Sequence, residues 1–177
     1  MYFKEHLSQV SAVSSDGNLM ASGSVDTKLK LWDIRRKQSI FTLKNHSMPV
    51  SCIKLTPLCI VTGSLGDAYI SVTEINSQKS TMQLRDGNAK TTTVDVLPEK
   101  KIVVSAHSDR RLRLWDLNAG KLISTCPKES TPAQKVLFHP SSYQSSSSNL
   151  NVVAGYSDSI KCLEVKQGAI NDIYMKS

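Results

Sequence analysis

The chain has 177 residues, 40% hydrophobic and 21% charged, proportions that exclude a collagen-like, coiled-coil or wholly disordered polypeptide. No apolar run approaches the roughly 18 residues of a membrane-spanning helix, and the opening MYFKEHLSQV lacks the apolar stretch of a secretory signal, so no membrane association is expected. Lys and Arg total 22 against 15 Asp and Glu, a net charge of +7, which favours acidic partners.

The first predicted strands are VSAV (10–13), LMASG (19–23), KLKLW (28–32) and SIFTL (39–43), separated by Asp16-Gly17, Val25-Asp26 and Arg35-Arg36-Lys37. Gly and Asp at these breaks mark tight turns. The alternation of Leu29 and Leu31, then Ile40 and Leu43, suits half-buried strands. The unit repeats. VDTKLKLWDI (25–34) recurs as SDRRLRLWDL (108–117), with the Trp-Asp pairs 83 residues apart, two periods of about 41. A copy between them, TGSLGDAYISVTEI (62–75), carries Thr73-Glu74 in place of Trp-Asp. A fourth, AGYSDSIKCLEV (154–165), carries Leu163-Glu164 there. In that last unit KVLFH (135–139) and NVVAG (151–155) read as strands, and the polar SSYQSSSSN (141–149) between them reads as a solvated loop insertion. No segment carries a convincing helical period.

Four strands per unit of about 40–45 residues is the pattern of a WD-repeat β-propeller. The expected fold is therefore all-β: one partial propeller over 1–177, with repeats at about 6–45, 46–86, 87–127 and 128–174. The four cysteines, Cys52, Cys59, Cys126 and Cys162, form no CxxC pair and have no His at zinc-ligand spacing; no metal or cofactor is expected. Cys52 and Cys162 lie in apolar strand-like runs and are expected as buried thiols of a reducing, cytoplasmic compartment.

Resemblance to the WD-repeat family implies a structural tetrad in each intact blade: a His from the preceding loop, a Ser or Thr on the second strand, an Asp in the next turn and the Trp of the third strand. A buried indole N–H needs an acceptor, and a buried imidazole an orienting carboxylate. The first unit has His6, Ser22, Asp26 and Trp32. The second has His46, Thr62 and Asp67, with Thr73 for Trp. The third has Ser105, Asp109 and Trp115, with Gly87 at the His position, and the fourth keeps Asp158 alone. A His–Ser–Asp set invites a hydrolase reading, but nothing in the sequence supplies an oxyanion hole or a substrate pocket, and the expected role is non-catalytic.

Within that family, LKLWDIRRK (29–37) resembles a blade of katanin's regulatory, non-catalytic subunit. KVLFHP (135–140) resembles the opening strand of its last blade, SDSIKCLEV (157–165) the closing stretch of that blade, and GAINDIY (168–174) the strand after the propeller. The order matches the last four of seven blades. MYFKEH (1–6) also matches FTLKNH (41–46), so the chain is expected to start partway through a blade's outer strand, as a fragment, an isoform or a half that pairs with another. The lost Trp-Asp of the second unit and the Ser-rich insertion depart from the katanin pattern. The resemblance implies a targeting subunit for a separate AAA ATPase that severs microtubules, located on the cytoskeleton at centrosomes or spindle poles. The chain has no GxxxxGK[ST] phosphate loop of its own. Alternatives are a centrosomal γ-tubulin-recruiting WD-repeat protein, one of whose blades IVTGSLGDAYISV (60–72) resembles, and a ubiquitin-ligase adaptor. Candidate partner-binding residues are Arg35, Arg36 and Lys37 in one repeat and Arg110, Arg111 and Arg113 in another, suited to the acidic tails of microtubules. Aromatic residues do not interleave with these clusters, which disfavours a nucleic-acid surface.

Overall fold

The computed structural model describes residues 3–139, 142, 150–166 and 169–173. Its regular structure is four four-stranded antiparallel sheets, each a meander in chain order. The chain divides into two compact units, Met1–Thr91 and Thr92–Ser177.

The first unit holds two sheets: β1 (Val10–Asp16), β2 (Leu19–Ser24), β3 (Leu29–Asp33) and β4 (Gln38–Leu43), then β5 (Val50–Leu55), β6 (Cys59–Ser64), β7 (Ile70–Glu74) and β8 (Lys79–Leu84). The turns fall where Gly and Asp stand. Gly17 adopts φ +56° between β1 and β2, a conformation that costs an L side chain about 1–2 kcal/mol. The third strands of these two sheets, β3 and β7, do not alternate in burial. Leu29, Lys30, Leu31 and Trp32 are all buried, because both faces of β3 are covered. The outer strand β4 does alternate, with Phe41 inside and its neighbours Ile40 and Thr42 outside. Ala21, Leu29, Leu31, Phe41, Leu55 and Ile60 form the core between the two sheets. Burying a leucine as fully as Leu29 or Leu31 contributes about 1.5–3 kcal/mol.

A repeated polar clamp fixes how the sheets pack within this unit. A bulge shifts the β1–β2 register between Val10 and Ala12 and leaves Ser11 unpaired in the ladder. Its hydroxyl donates to Gly23 O at 3.1 Å and reaches Val50 O on the next sheet. Three residues on, Ser14 Oγ accepts Leu55 N at 3.0 Å. Gly23 is required here, since a Cβ would overlap the Val50 side chain.

The second unit holds most of β9 (Thr91–Leu97), then β10 (Ile102–His107), β11 (Leu112–Asp116) and β12 (Lys121–Thr125), followed by β13 (Lys135–Phe138), β14 (Leu150–Gly155), β15 (Ile160–Lys166) and β16 (Ala169–Ile173). Its core includes Leu97, Leu112, Leu114, Val136, Phe138 and Leu163. The same clamp recurs. Thr92 Oγ1 donates to Ala133 O at 3.0 Å, and Asp95 Oδ2 accepts Phe138 N at 2.7 Å.

The described part of GAINDIY, β16, pairs antiparallel with β15, Cys162 opposite Ile173 and Val165 opposite Ile170, as the fourth strand of that sheet; it lies inside the segment read as the fourth repeat, 128–174. Of the Ser-rich insertion only Ser142 lies within the described residues; its hydroxyl accepts Asn151 N at 2.8 Å and donates to Asn151 O at 3.0 Å. None of the four cysteines is in a disulfide, and Cys52 is buried as expected, whereas Cys162 is partly exposed.

Candidate functional site

The first sheet carries a complete tetrad. Trp32 Nε1 donates to Ser22 Oγ at 2.8 Å, Ser22 Oγ lies 2.8 Å from His6 Nε2, and His6 Nδ1 lies 3.0 Å from Asp26 Oδ2. One proton assignment satisfies every atom. The serine hydroxyl accepts the indole N–H and donates its own O–H to Nε2, and Nδ1–H donates to Asp26. Asp26 also accepts Leu7 N at 2.9 Å and Lys28 N at 3.0 Å. Burial raises its carboxyl, and the bonds from Leu7, Lys28 and His6 more than offset this, holding it below the usual range.

The second sheet repeats the set without Trp. His46 Nδ1 lies 3.0 Å from Asp67 Oδ2, and Nε2 lies 3.0 Å from Thr62 Oγ1. With the indole gone, Asn45 Nδ2 donates to Thr62 Oγ1 at 3.0 Å. Tyr69 stacks on His46 with ring centroids 5.1 Å apart and donates to Asn45 O at 3.0 Å. Burial pushes the His46 imidazole below its ordinary value, against the bond and charge of Asp67, as the neutral tautomer requires. Burial raises the Asp67 carboxyl, but hydrogen bonds from Ser47, His46 and Met48 hold it low.

The third sheet departs from the expected arrangement. Trp115 Nε1 still donates to Ser105 Oγ at 2.8 Å, but the imidazole within 2.8 Å of that hydroxyl is His107, from β10 itself. Asp109 grips Arg113 in a two-point bridge, Nη1–Oδ1 3.1 Å and Nη2–Oδ2 2.6 Å, and its carboxyl is held low by that guanidinium against the opposing effect of burial. The sequence carried this signal. His107 stands two residues after Ser105 on one strand, so both project from the same face.

Arg113 was expected on a partner-binding surface, and its place corrects that reading: it is 5% exposed and bound to Asp109. Lys30, at the same position two repeats earlier, is likewise buried, donating to Glu5 Oε2 at 3.0 Å and Thr42 Oγ1 at 2.8 Å. Lys161 at the same position donates to Glu129 Oε2 at 2.6 Å. The acids at 5 and 129 and the bases at 30 and 161 are thus partners the sequence reading missed, and Asn45 with Ser71 (Nδ2 to Oγ, 3.3 Å) is their neutral counterpart.

Arg110 is half-buried and donates to Ser130 O at 3.1 Å, while Arg111 is exposed. Arg35, Arg36 and Lys37 stand exposed at the β3–β4 turn. Asp33 Oδ1 accepts the backbone N–H of both Arg35 and Arg36 at 2.9 Å, which fixes the turn. Arg36 Nε lies 3.7 Å from Asp33 Oδ2 with its side chain 80% exposed. Among the described residues no group of three or more His, Cys, Asp or Glu could hold a metal ion.

The family model "WD domain, G-beta repeat" matches residues 1–33 and 79–116. Relatives include Mitochondrial division protein 1 of Kluyveromyces lactis, 26% identical over 69% of this chain and 19% of its own. The p21-activated protein kinase-interacting protein 1-like of Danio rerio is 27% identical over 66% of this chain and 32% of its own. Protein SPA1-RELATED 3 of Arabidopsis thaliana is 31% identical over 65% and 14%. The chain thus spans less than a third of the length of each of these relatives. The computationally designed Ika4 protein superposes with a TM-score of 0.77 at 23% identity over 91% of this chain and 94% of its own; this likeness shows the fold alone. The fold is all-β, that of a partial β-propeller, and in its repeat match and its relatives the chain is similar to WD-repeat proteins.

Proposed function

We propose that the chain is a non-catalytic protein-interaction platform whose β3–β4 turn docks on an acidic protein surface. The observation that carries this reading is the division of labour among its polar side chains. His6, Ser22, Asp26, His46, Thr62 and Asp67 are committed to one another as structural links, whereas Arg35, Arg36 and Lys37 are held out on a fixed turn. Three exposed cations on one turn attract an acidic surface, and salt screens the attraction.

The ordered resemblance to katanin's regulatory subunit supports a finer proposal. The acidic surface is the microtubule, the chain acts beside the severing ATPase, and its site of action is the cytoskeleton at centrosomes or spindle poles. A second reading is favoured by the relative named for interaction with a p21-activated protein kinase: a scaffold in a kinase-associated complex. Affinity isolation of the tagged chain separates the two. Tubulin together with an AAA ATPase supports the first, and a protein kinase recovered without tubulin overturns it.

A further inference from the structure

Neighbouring sheets within a unit meet through two unlike faces. In the first unit, Leu29 and Leu31 of β3 pack with Ile60 of β6, and Ile53 of β5 lies against them. In the second, Leu112 and Leu114 of β11 pack with Val136 of β13 and Val152 of β14. Strand register locates the same positions on the first and fourth sheets. On the first, Val10, Val13 and Met20 stand where Val50, Ile53 and Ile60 stand on the second. Val50 and Ile60 are fully buried, whereas Val10 is 44% and Val13 58% exposed. These three line an open depression together with Phe3, which lies against the Trp32 ring with centroids 5.2 Å apart. On the fourth, Ile160 and Cys162 stand where Leu29 and Leu31 stand on the first sheet and Leu112 and Leu114 on the third. All four leucines are buried, whereas Ile160 is 76% exposed and Cys162 partly exposed. Leu137 is 45% exposed and pairs with Val153, which pairs with Cys162, so it shares the face of Cys162 and Ile160.

The chain thus exposes both halves of a contact that each unit makes internally. Contiguous exposed apolar side chains mark an interaction site, and within each unit what covers one half is the other half. We propose that the chain associates head to tail with a second copy of itself, Ile160, Cys162 and Leu137 of one copy covering Val10, Val13 and Met20 of the other. Such a contact is heterologous, since each partner contributes a different face. It is apolar on both sides, so salt is not expected to weaken it. It uses none of Arg35, Arg36 and Lys37, and its failure would leave the preceding proposal standing.

The test is sedimentation equilibrium of the full chain across a dilution series. The wild type is expected to show a mass above that of one copy that falls on dilution, at low and high salt alike. Val13→Glu and Ile160→Glu are each expected to raise the dissociation constant about tenfold or more, because every contact would then bury an unpaired charge. Both residues are exposed within one copy, and an unchanged far-ultraviolet circular dichroism spectrum confirms that the variants fold. An equimolar mixture of the two variants is expected to recover association, since the intact fourth sheet of the Val13→Glu chain meets the intact first sheet of the Ile160→Glu chain. Arg35→Glu with Arg36→Glu is expected to change nothing. A mass of one copy at every concentration, association that either single variant leaves unchanged, or a mixture that stays as single copies would overturn the proposal.

Discussion

Ser22→Ala tests the tetrad most sharply. Ser22 is 4% exposed, and its hydroxyl is the common partner of the Trp32 indole and the His6 imidazole, each at 2.8 Å. Alanine removes one oxygen and strands two buried groups. A buried polar group left without its partner costs about 1–3 kcal/mol, so the expected loss is about 2–4 kcal/mol, well above the ~0.5 kcal/mol of an ordinary surface change. Ser22→Thr keeps the oxygen, as Thr62 does in the next sheet, and is expected to cost under about 1 kcal/mol. The readout should stay within the first unit, because the chain comprises two compact units and one global transition is not assured. With only two tryptophans in the chain, a Trp115→Phe background leaves Trp32 as the sole indole reporter of urea unfolding. A Ser22→Ala cost below about 0.5 kcal/mol, or equal costs for alanine and threonine, would refute the hydrogen-bond account and leave Ser22 a mere space-filler.

Three further outcomes are expected. Asp109→Ala should destabilise the second unit by about 3 kcal/mol, the lower end for breaking a buried ion pair, since Asp109 keeps 31% exposure; an unchanged Trp115 unfolding midpoint would contradict the pairing. Acid should unfold the chain in two stages. His46 binds its proton less readily folded than unfolded, so stability falls as pH drops below about 6.5 toward its lowered folded value. The depressed carboxyls of Asp26, Asp67 and Asp109 then extend the loss as pH falls below about 3.8; a urea midpoint that rises between pH 7 and 5 would contradict this sign. Finally, Lys37 sits at φ +58°, and Gly120 fills the equivalent turn at +64°. Lys37→Gly should therefore stabilise by about 0.5–1 kcal/mol and Lys37→Val destabilise by about 1–2 kcal/mol, both read from urea midpoints.

Much of the fold was legible because the sequence repeats itself. The Trp-Asp spacing located β3 and β11, and the Gly-Asp breaks located their turns. The His–Ser/Thr–Asp links of the first two sheets followed from the WD-repeat resemblance carried onto His6, Ser22 and Asp26 and onto His46, Thr62 and Asp67. What misled was charge on the third strands. Lys30 and Arg113 stand where alternation would point a residue to solvent, yet β3 and β11 are covered on both faces, so alternation carries no such meaning there. A base on such a strand must bring an acid with it, and Glu5, Asp109 and Glu129 fill that role. His107 was overlooked because the imidazole was sought in the preceding loop, where Gly87 stands, rather than on the strand of Ser105.

The most direct test of the central claim is co-sedimentation of the chain with microtubules at low and high salt. Wild type should be compared with Arg35→Glu/Arg36→Glu/Lys37→Glu and with an unrelated basic propeller. The account predicts sedimentation above the control at low salt, loss at high salt, and loss in the triple variant with its unfolding midpoint unchanged. Sedimentation no greater than the control, or binding that the triple variant retains, would contradict it.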